Sequence, residues 1–196
     1  MIVLSKNFIL IGDSLTFGYG INKSKSWVEC LKNYLISNDI NYNILNKGIN
    51  GNTTTDMLNR FTEDVIELNP NKIFIMGGTN DLLSNRSVNS IIANIELMIK
   101  ESLSITRDIT IGIPPTIIKE DAKILFMPSL TYDYCEENLQ RFKEALITLC
   151  NNYSVKFIDF YSLTLNNKSI YIDGIHFNAE GHKLFLEEFI KQTSFN

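Results

Sequence analysis

Short apolar runs alternate with amphipathic segments along the chain. Residues 7–11 form an apolar run ending at Gly12, as a central strand of a parallel sheet does. Similar runs at 41–45, 72–76, 109–113 and 155–158 predict four more strands, the third closed by Gly77-Gly78 and the fourth broken by Pro114-Pro115. Between them the apolar spacing is helical. Trp27, Cys30, Leu31, Tyr34 and Leu35 mark a helix that Ser24 or Ser26 would cap. Met57, Leu58, Phe61, Val65 and Leu68 mark a helix over 53–68, stopped by Asn69-Pro70. Further helices are predicted over 88–103, 135–150 and 178–190. Two segments, 114–134 and 159–177, lack a regular pattern. Loops of this length are uncommon without a use, so both are candidate binding elements.

Five strands alternating with helices predict an α/β chain: a parallel sheet covered on both faces. At 196 residues the chain fits one domain and can bury roughly 70% of its unfolded surface without a metal or disulfide staple. Eighteen basic and twenty-two acidic side chains give a net charge of −4, the wrong sign for nucleic-acid binding through phosphate attraction. Cys30, Cys135 and Cys150 are odd in number and widely spaced, which fits neither a zinc site nor a disulfide framework and suits a reducing compartment, the cytoplasm. Residues 1–11 faintly resemble a leader. The apolar stretch is short, however, no small-residue cleavage site follows, and cleavage there would remove the segment carrying the strongest motif, so it reads as a first buried strand. No apolar run reaches the ~20 residues of a membrane span.

Open parallel sheets bind ligands beyond the C-terminal ends of their strands. Four polar or glycine-rich clusters fall on that rim: Gly12-Asp13-Ser14-Leu15, residues 46–53 around Gly51, Gly77-Gly78-Thr79-Asn80-Asp81, and Asp173-Gly174-Ile175-His176. Ser14 is either the cap of a following helix or a nucleophile that needs a base. Of two histidines, His176 has an aspartate three residues earlier, able to fix its tautomer and leave Nε2 free as a base. His182 has Ala179 at that offset and reads as a surface or packing residue. Gly51 is either a tight turn or a backbone donor, and Asn80 either braces its turn or offers an amide donor to an oxyanion. Gly12 to Gly20 lacks the ending of a phosphate-binding P-loop, and the Gly-x-Ser-x-Gly elbow is absent.

Together these four blocks resemble the SGNH or GDSL hydrolases, in family order across nearly the whole chain. The resemblance implies a three-layer α/β/α, flavodoxin-like fold with a five-stranded parallel sheet in order 2-1-3-4-5, making 1–196 one hydrolase domain. It implies Ser14 as nucleophile, His176 as general base and then acid, and Asp173 as its orienter. The oxyanion hole would comprise the Ser14 N–H, the Gly51 N–H and the Asn80 side chain. The implied reaction is hydrolysis of a small-molecule ester or thioester, lipid or acylated sugar, through an acyl-serine, without metal or cofactor. The strings around Ser14 and His176 are similar to the lysophospholipase/thioesterase branch, except that Phe177 replaces the proline usual after the histidine.

Residues 114–134 form a candidate lid over an apolar acyl site, with Phe126, Met127 and Tyr132 as candidate substrate contacts; a surface excursion packed on itself is the alternative. Phe177 would pack against substrate or against the last helix, and Trp27 is expected to pack at the start of its helix. Two other functions remain open: an acyl or acetyl transferase (or carbohydrate deacetylase) on the same triad, and a non-catalytic flavodoxin-like binding module. Oligomeric state is not legible.

Overall fold

Runs rich in isoleucine, phenylalanine and leucine build the sheet, since branched and aromatic side chains fit a pleated surface buried on both sides. The computed structural model describes residues 6–126 and 129–195. The strands are β1 (Lys6–Gly12), β2 (Tyr42–Gly48), β3 (Lys72–Met76), β4 (Ile109–Ile113) and β5 (Lys156–Asp159), all parallel, in the order β2-β1-β3-β4-β5. The α-helices between and after them are α1 (Ser14–Phe17), α2 (Trp27–Ser37), α3 (Thr54–Asn59), α4 (Phe61–Asp64), α5 (Thr79–Leu83), α6 (Val88–Leu103), α7 (Lys119–Leu125), α8 (Leu130–Tyr153), α9 (Phe160–Thr164) and α10 (Ala179–Gln192).

Strand alternation produces the three layers. Ile9, Ile11, Ile73, Ile75 and Ile111 pack with Phe61, Ile95, Phe142 and Leu146 of α4, α6 and α8. Their neighbours Phe8, Leu10, Phe74 and Met76 point to the opposite face and pack with Trp27, Leu31, Phe185 and Phe189 of α2 and α10. That second face is aromatic: the Phe74 ring lies 5.1 Å from Phe189 and 5.8 Å from Trp27. Such pairs add about 0.5–1.5 kcal/mol each beyond their burial. Trp27 is buried and its indole N–H donates to the Leu15 carbonyl at 2.8 Å, so it packs as expected and also ties α2 to α1.

Several elements differ from the pattern reading. The helix expected over 53–68 is three short pieces, broken at Arg60 (φ −107°, ψ 7°) and Val65 (φ −127°, ψ −60°). Met57, Phe61 and Val65 remain fully buried across the breaks. Apolar periodicity records burial, which survives an interrupted hydrogen-bond ladder. The helix expected over 135–150 runs from Leu130 to Tyr153, and its first turns occupy the end of the segment read as irregular. Residues 114–126 are not a free loop either. Ile117, Ile118 and Ala122 are buried, and Lys119 and Lys123 pair with Asp133 at 3.3 and 2.7 Å, fastening α7 to α8. Within 159–177 lie α9, a 3₁₀ turn over Lys168–Ile170 and a bridge between Tyr171 and Phe177. Elements this short leave no periodic signature.

Candidate active site

Ser14 begins α1 directly beyond β1, because Asp13 caps that helix: its carboxylate accepts the Leu15 N–H at 2.9 Å. The strand can turn so tightly because residue 12 is glycine. A Cβ there would lie 2.1 Å from Thr16 Oγ1 and 2.5 Å from the Met76 carbonyl oxygen.

His176 arrives from the opposite end of the chain. Asp173 folds its own segment around its carboxylate, which accepts the Ile175 N–H at 2.9 Å and the His176 N–H at 2.7 Å through Oδ1. Its Oδ2 lies 2.7 Å from His176 Nδ1, and His176 Nε2 lies 2.8 Å from Ser14 Oγ. Burial alone would raise the Asp173 pKa, but the hydrogen bonds from the His176 ring and from the two backbone N–H groups hold it below the usual carboxylate value. Asp173 is therefore ionised at neutral pH and can only accept, so Nδ1 carries the proton and Nε2 is left to accept from the serine hydroxyl. This arrangement can remove the proton of Ser14 as its oxygen attacks an electrophile.

The two remaining loops close on the same place. Gly51 sits in the β2–α3 loop at φ +78°, a left-handed backbone that glycine adopts without cost. Asn80, in α5, donates through Nδ2 to the Asn52 carbonyl at 2.9 Å. Asp81 beside it is fully buried and accepts the Thr54 N–H and hydroxyl at 2.7 and 2.8 Å, tying the β3–α5 loop to the start of α3. Asn80 and His176 border a cleft of about 250 Å³ whose other walls are Leu83, Phe126, Thr131, Tyr132 and Ile175.

Phe126 and Tyr132 thus reach the same cleft as His176, whereas Met127 lies outside the described residues. Phe177 does not face the cleft: it is 2% exposed and its ring lies 5.8 Å from Phe185 of α10. Of the two expected partners, substrate and the last helix, it is the helix that Phe177 packs against, next to the Tyr171–Phe177 bridge. His182 is buried, accepts the Trp27 N–H at 3.4 Å through Nδ1, and is pushed down to about 4 by burial, a packing histidine. Pattern reading missed Tyr19, whose ring centre is 4.5 Å from that of His176. Tyr19 closes the Gly-Asp-Ser-Leu-Thr-x-Gly-Tyr string that begins at Gly12, and that string was the clue. Among the described residues no group of three or more His, Cys, Asp or Glu is placed to hold a metal ion.

Asp13 has an unusual electrostatic position. Burial lifts its pKa to about 6, opposed by the Leu15 N–H and by nearby His176, and reinforced by Asp81. A raised carboxyl pKa means the folded state binds the extra proton, so its contribution to stability declines as pH rises from about 4 to about 6. Asp13→Asn keeps the oxygen that accepts from Leu15 and removes the charge. It is expected to raise the unfolding free energy by about 1–3 kcal/mol at neutral pH, with no gain near pH ~4. Urea unfolding across that range measures this; a gain that is flat with pH would refute it.

The model of the GDSL-like Lipase/Acylhydrolase family matches residues 10–184. The chain is 28% identical over 149 residues to an arylesterase of Vibrio mimicus, covering 74% of each protein. It is 40% identical over 81 residues to the lipoprotein YqeF of Bacillus subtilis, a match spanning 39% of this chain and 32% of that protein's length. In structure it is similar to a catalytic mutant of Axe2, an acetylxylan esterase from Geobacillus stearothermophilus, with a TM-score of 0.81 over 100% of this chain and 98% of that one. At 19% identity that likeness is one of fold.

Proposed function

The chain belongs to the GDSL-like lipase/acylhydrolase family, and from that premise we propose that it is a serine esterase, cleaving carboxylic esters or thioesters through an acyl-serine on Ser14. One observation carries the reading: the unbroken hydrogen-bonded run from Ser14 Oγ through His176 to ionised Asp173. Ser14 Oγ attacks the carbonyl carbon while His176 Nε2 takes its proton. The carbonyl oxygen becomes an oxyanion, received by the Ser14 N–H, the Gly51 N–H and the second Nδ2 hydrogen of Asn80. Collapse breaks the bond to the alcohol or thiol, which leaves with the proton held by His176. Water, deprotonated by the same nitrogen, then attacks the acyl-serine and restores Ser14.

The acyl group lies in the cleft between Asn80, His176, Phe126 and Tyr132. Its ~250 Å³ is small beside the 300–1,000 Å³ of sites for drug-sized ligands, which favours a short acyl group over a lysophospholipid tail. The arylesterase relative supports, by its name, an ester-cleaving reaction. Helix α7 acts here as a wall fastened to α8, with Phe126 at the cleft. The free Cys30, Cys135 and Cys150 suit the cytoplasm, although a relative carries a lipoprotein name. No helix among the described residues is long and apolar enough to cross a membrane.

The test is a series of p-nitrophenyl esters from acetate to palmitate, together with a fluorophosphonate probe. Turnover is expected to be greatest for the short esters, and mass spectrometry should place the label on Ser14. Absence of both turnover and label would overturn the proposal. Turnover that appears only with an added alcohol or sugar acceptor would replace the hydrolase by a transferase.

A further inference from the structure

We propose that Arg60 is a positioning residue that holds the oxyanion hole together from behind. This rests on the serine-esterase reading above. Its guanidinium makes three hydrogen bonds in three directions. Nη2 donates to the Gly12 carbonyl at 3.0 Å, Nε to Asn52 Oδ1 at 2.8 Å, and Nη1 to Asp64 Oδ2 at 2.6 Å. The side chain is 15% exposed.

Two of these partners, Gly12 at the end of β1 and Asn52 in the β2–α3 loop, lie next to segments that supply an oxyanion donor. Gly12 precedes the segment carrying the Ser14 N–H, and its carbonyl also accepts the Ile49 N–H at 3.1 Å from the β2–α3 loop. Asn52 follows Gly51. The Asn52 carbonyl in turn receives Asn80 Nδ2 at 2.9 Å, which fixes the amide plane and leaves the other Nδ2 hydrogen for substrate. One planar cation thereby bonds the chain two residues before Ser14 and one residue after Gly51, and through Asn52 it reaches Asn80.

A guanidinium is suited to this because its donors are rigidly splayed, whereas an ammonium is a point charge on a flexible stem. The Asp64 contact is not part of the clamp. It supplies the counter-charge that makes a mostly buried cation tolerable, and Asp64 keeps Lys47 as a partner at 2.8 Å if Arg60 is removed. The break between α3 and α4 falls at Arg60 itself, so the backbone departs from helix where this side chain reaches back to β1. Misplacing reacting groups by about 1 Å can cost about a hundredfold in rate.

The experiment measures kcat and KM on p-nitrophenyl acetate for wild type, Arg60→Met, Arg60→Lys, Asn80→Ala and the double variant Arg60→Met/Asn80→Ala, with Ser14→Ala as control. Arg60→Met is expected to lower kcat by about 10–100-fold, with KM within about twofold of wild type. Arg60→Lys should recover only a small part of that loss. In the Asn80→Ala background Arg60→Met should cost at least about threefold less than it does in wild type, because one of the donors it orients is gone. An unchanged kcat in Arg60→Met, or an equal loss in both backgrounds, overturns the proposal, since a merely structural arginine gives additive effects. If Arg60→Met does not fold, Asn52→Ala, which removes the Oδ1 acceptor and keeps the carbonyl, must show the same dependence on Asn80. Wild-type turnover that survives Ser14→Ala would instead overturn the serine-esterase reading, and the Arg60 assignment with it.

Discussion

Ser14→Ala is expected to lower kcat by about five to six orders of magnitude while leaving KM within a few-fold of wild type. The substitution removes one oxygen that lies 2.8 Å from His176 Nε2 and little else. Ser14 is 6% exposed, and Asp13 still caps α1 through its bond to the Leu15 N–H, so the fold should survive. Without the hydroxyl no acyl-enzyme can form. What remains is the oxyanion hole and the binding cleft acting on a water molecule, worth about 10³–10⁴ over the uncatalysed reaction. Parallel ester assays on both proteins, with labelling by a fluorophosphonate, measure the effect. A variant that hydrolyses short esters as fast as wild type would remove Ser14 from the mechanism.

Asp173→Asn should be nearly as severe, about 10⁴-fold in kcat, for a different reason. Asparagine retains an oxygen that can accept the Ile175 and His176 N–H groups, so the turn is kept. Its NH₂ group then faces Nδ1, where Asp173 Oδ2 now lies at 2.7 Å. An amide there donates, so Nδ1 must accept, and the ring proton moves to Nε2. The nitrogen that should take the Ser14 proton is then already protonated. The variant is expected to bind substrate normally and to show a ring hydrogen on Nε2 by ¹⁵N NMR. Full activity in Asp173→Asn would show that tautomer control by this carboxylate is not needed.

Much of this was legible in the sequence because the relevant signals are local. The runs that became β1 and β3 are short apolar stretches ended by glycine, and the loops they feed carry the polar residues. Asp173 and His176 are three residues apart, so their pairing is a property of one turn. What the sequence withheld depends on contacts between distant segments. Arg60 sits in an amphipathic stretch like any solvated cation, and nothing nearby says that its partners are Gly12 and Asn52. The inward turn of Phe177 depends on its bridge to Tyr171 and on α10, while the cleft position of Phe126 needs α7 to be fastened to α8. Helices α1 and α5 are too short to carry a period.

The base and its carboxylate partner form within one turn, but the nucleophile they serve is 162 positions away in the chain. On the mechanism proposed here, a ribosome-bound chain that has formed β1 and α1 already displays Ser14 and remains inert as an esterase. It stays so until the segment that follows β5 has emerged and docked. Hydrolysis therefore reports the arrival of that last segment: in a refolding experiment, activity should return no earlier than the docking of residues 173–176 against α1.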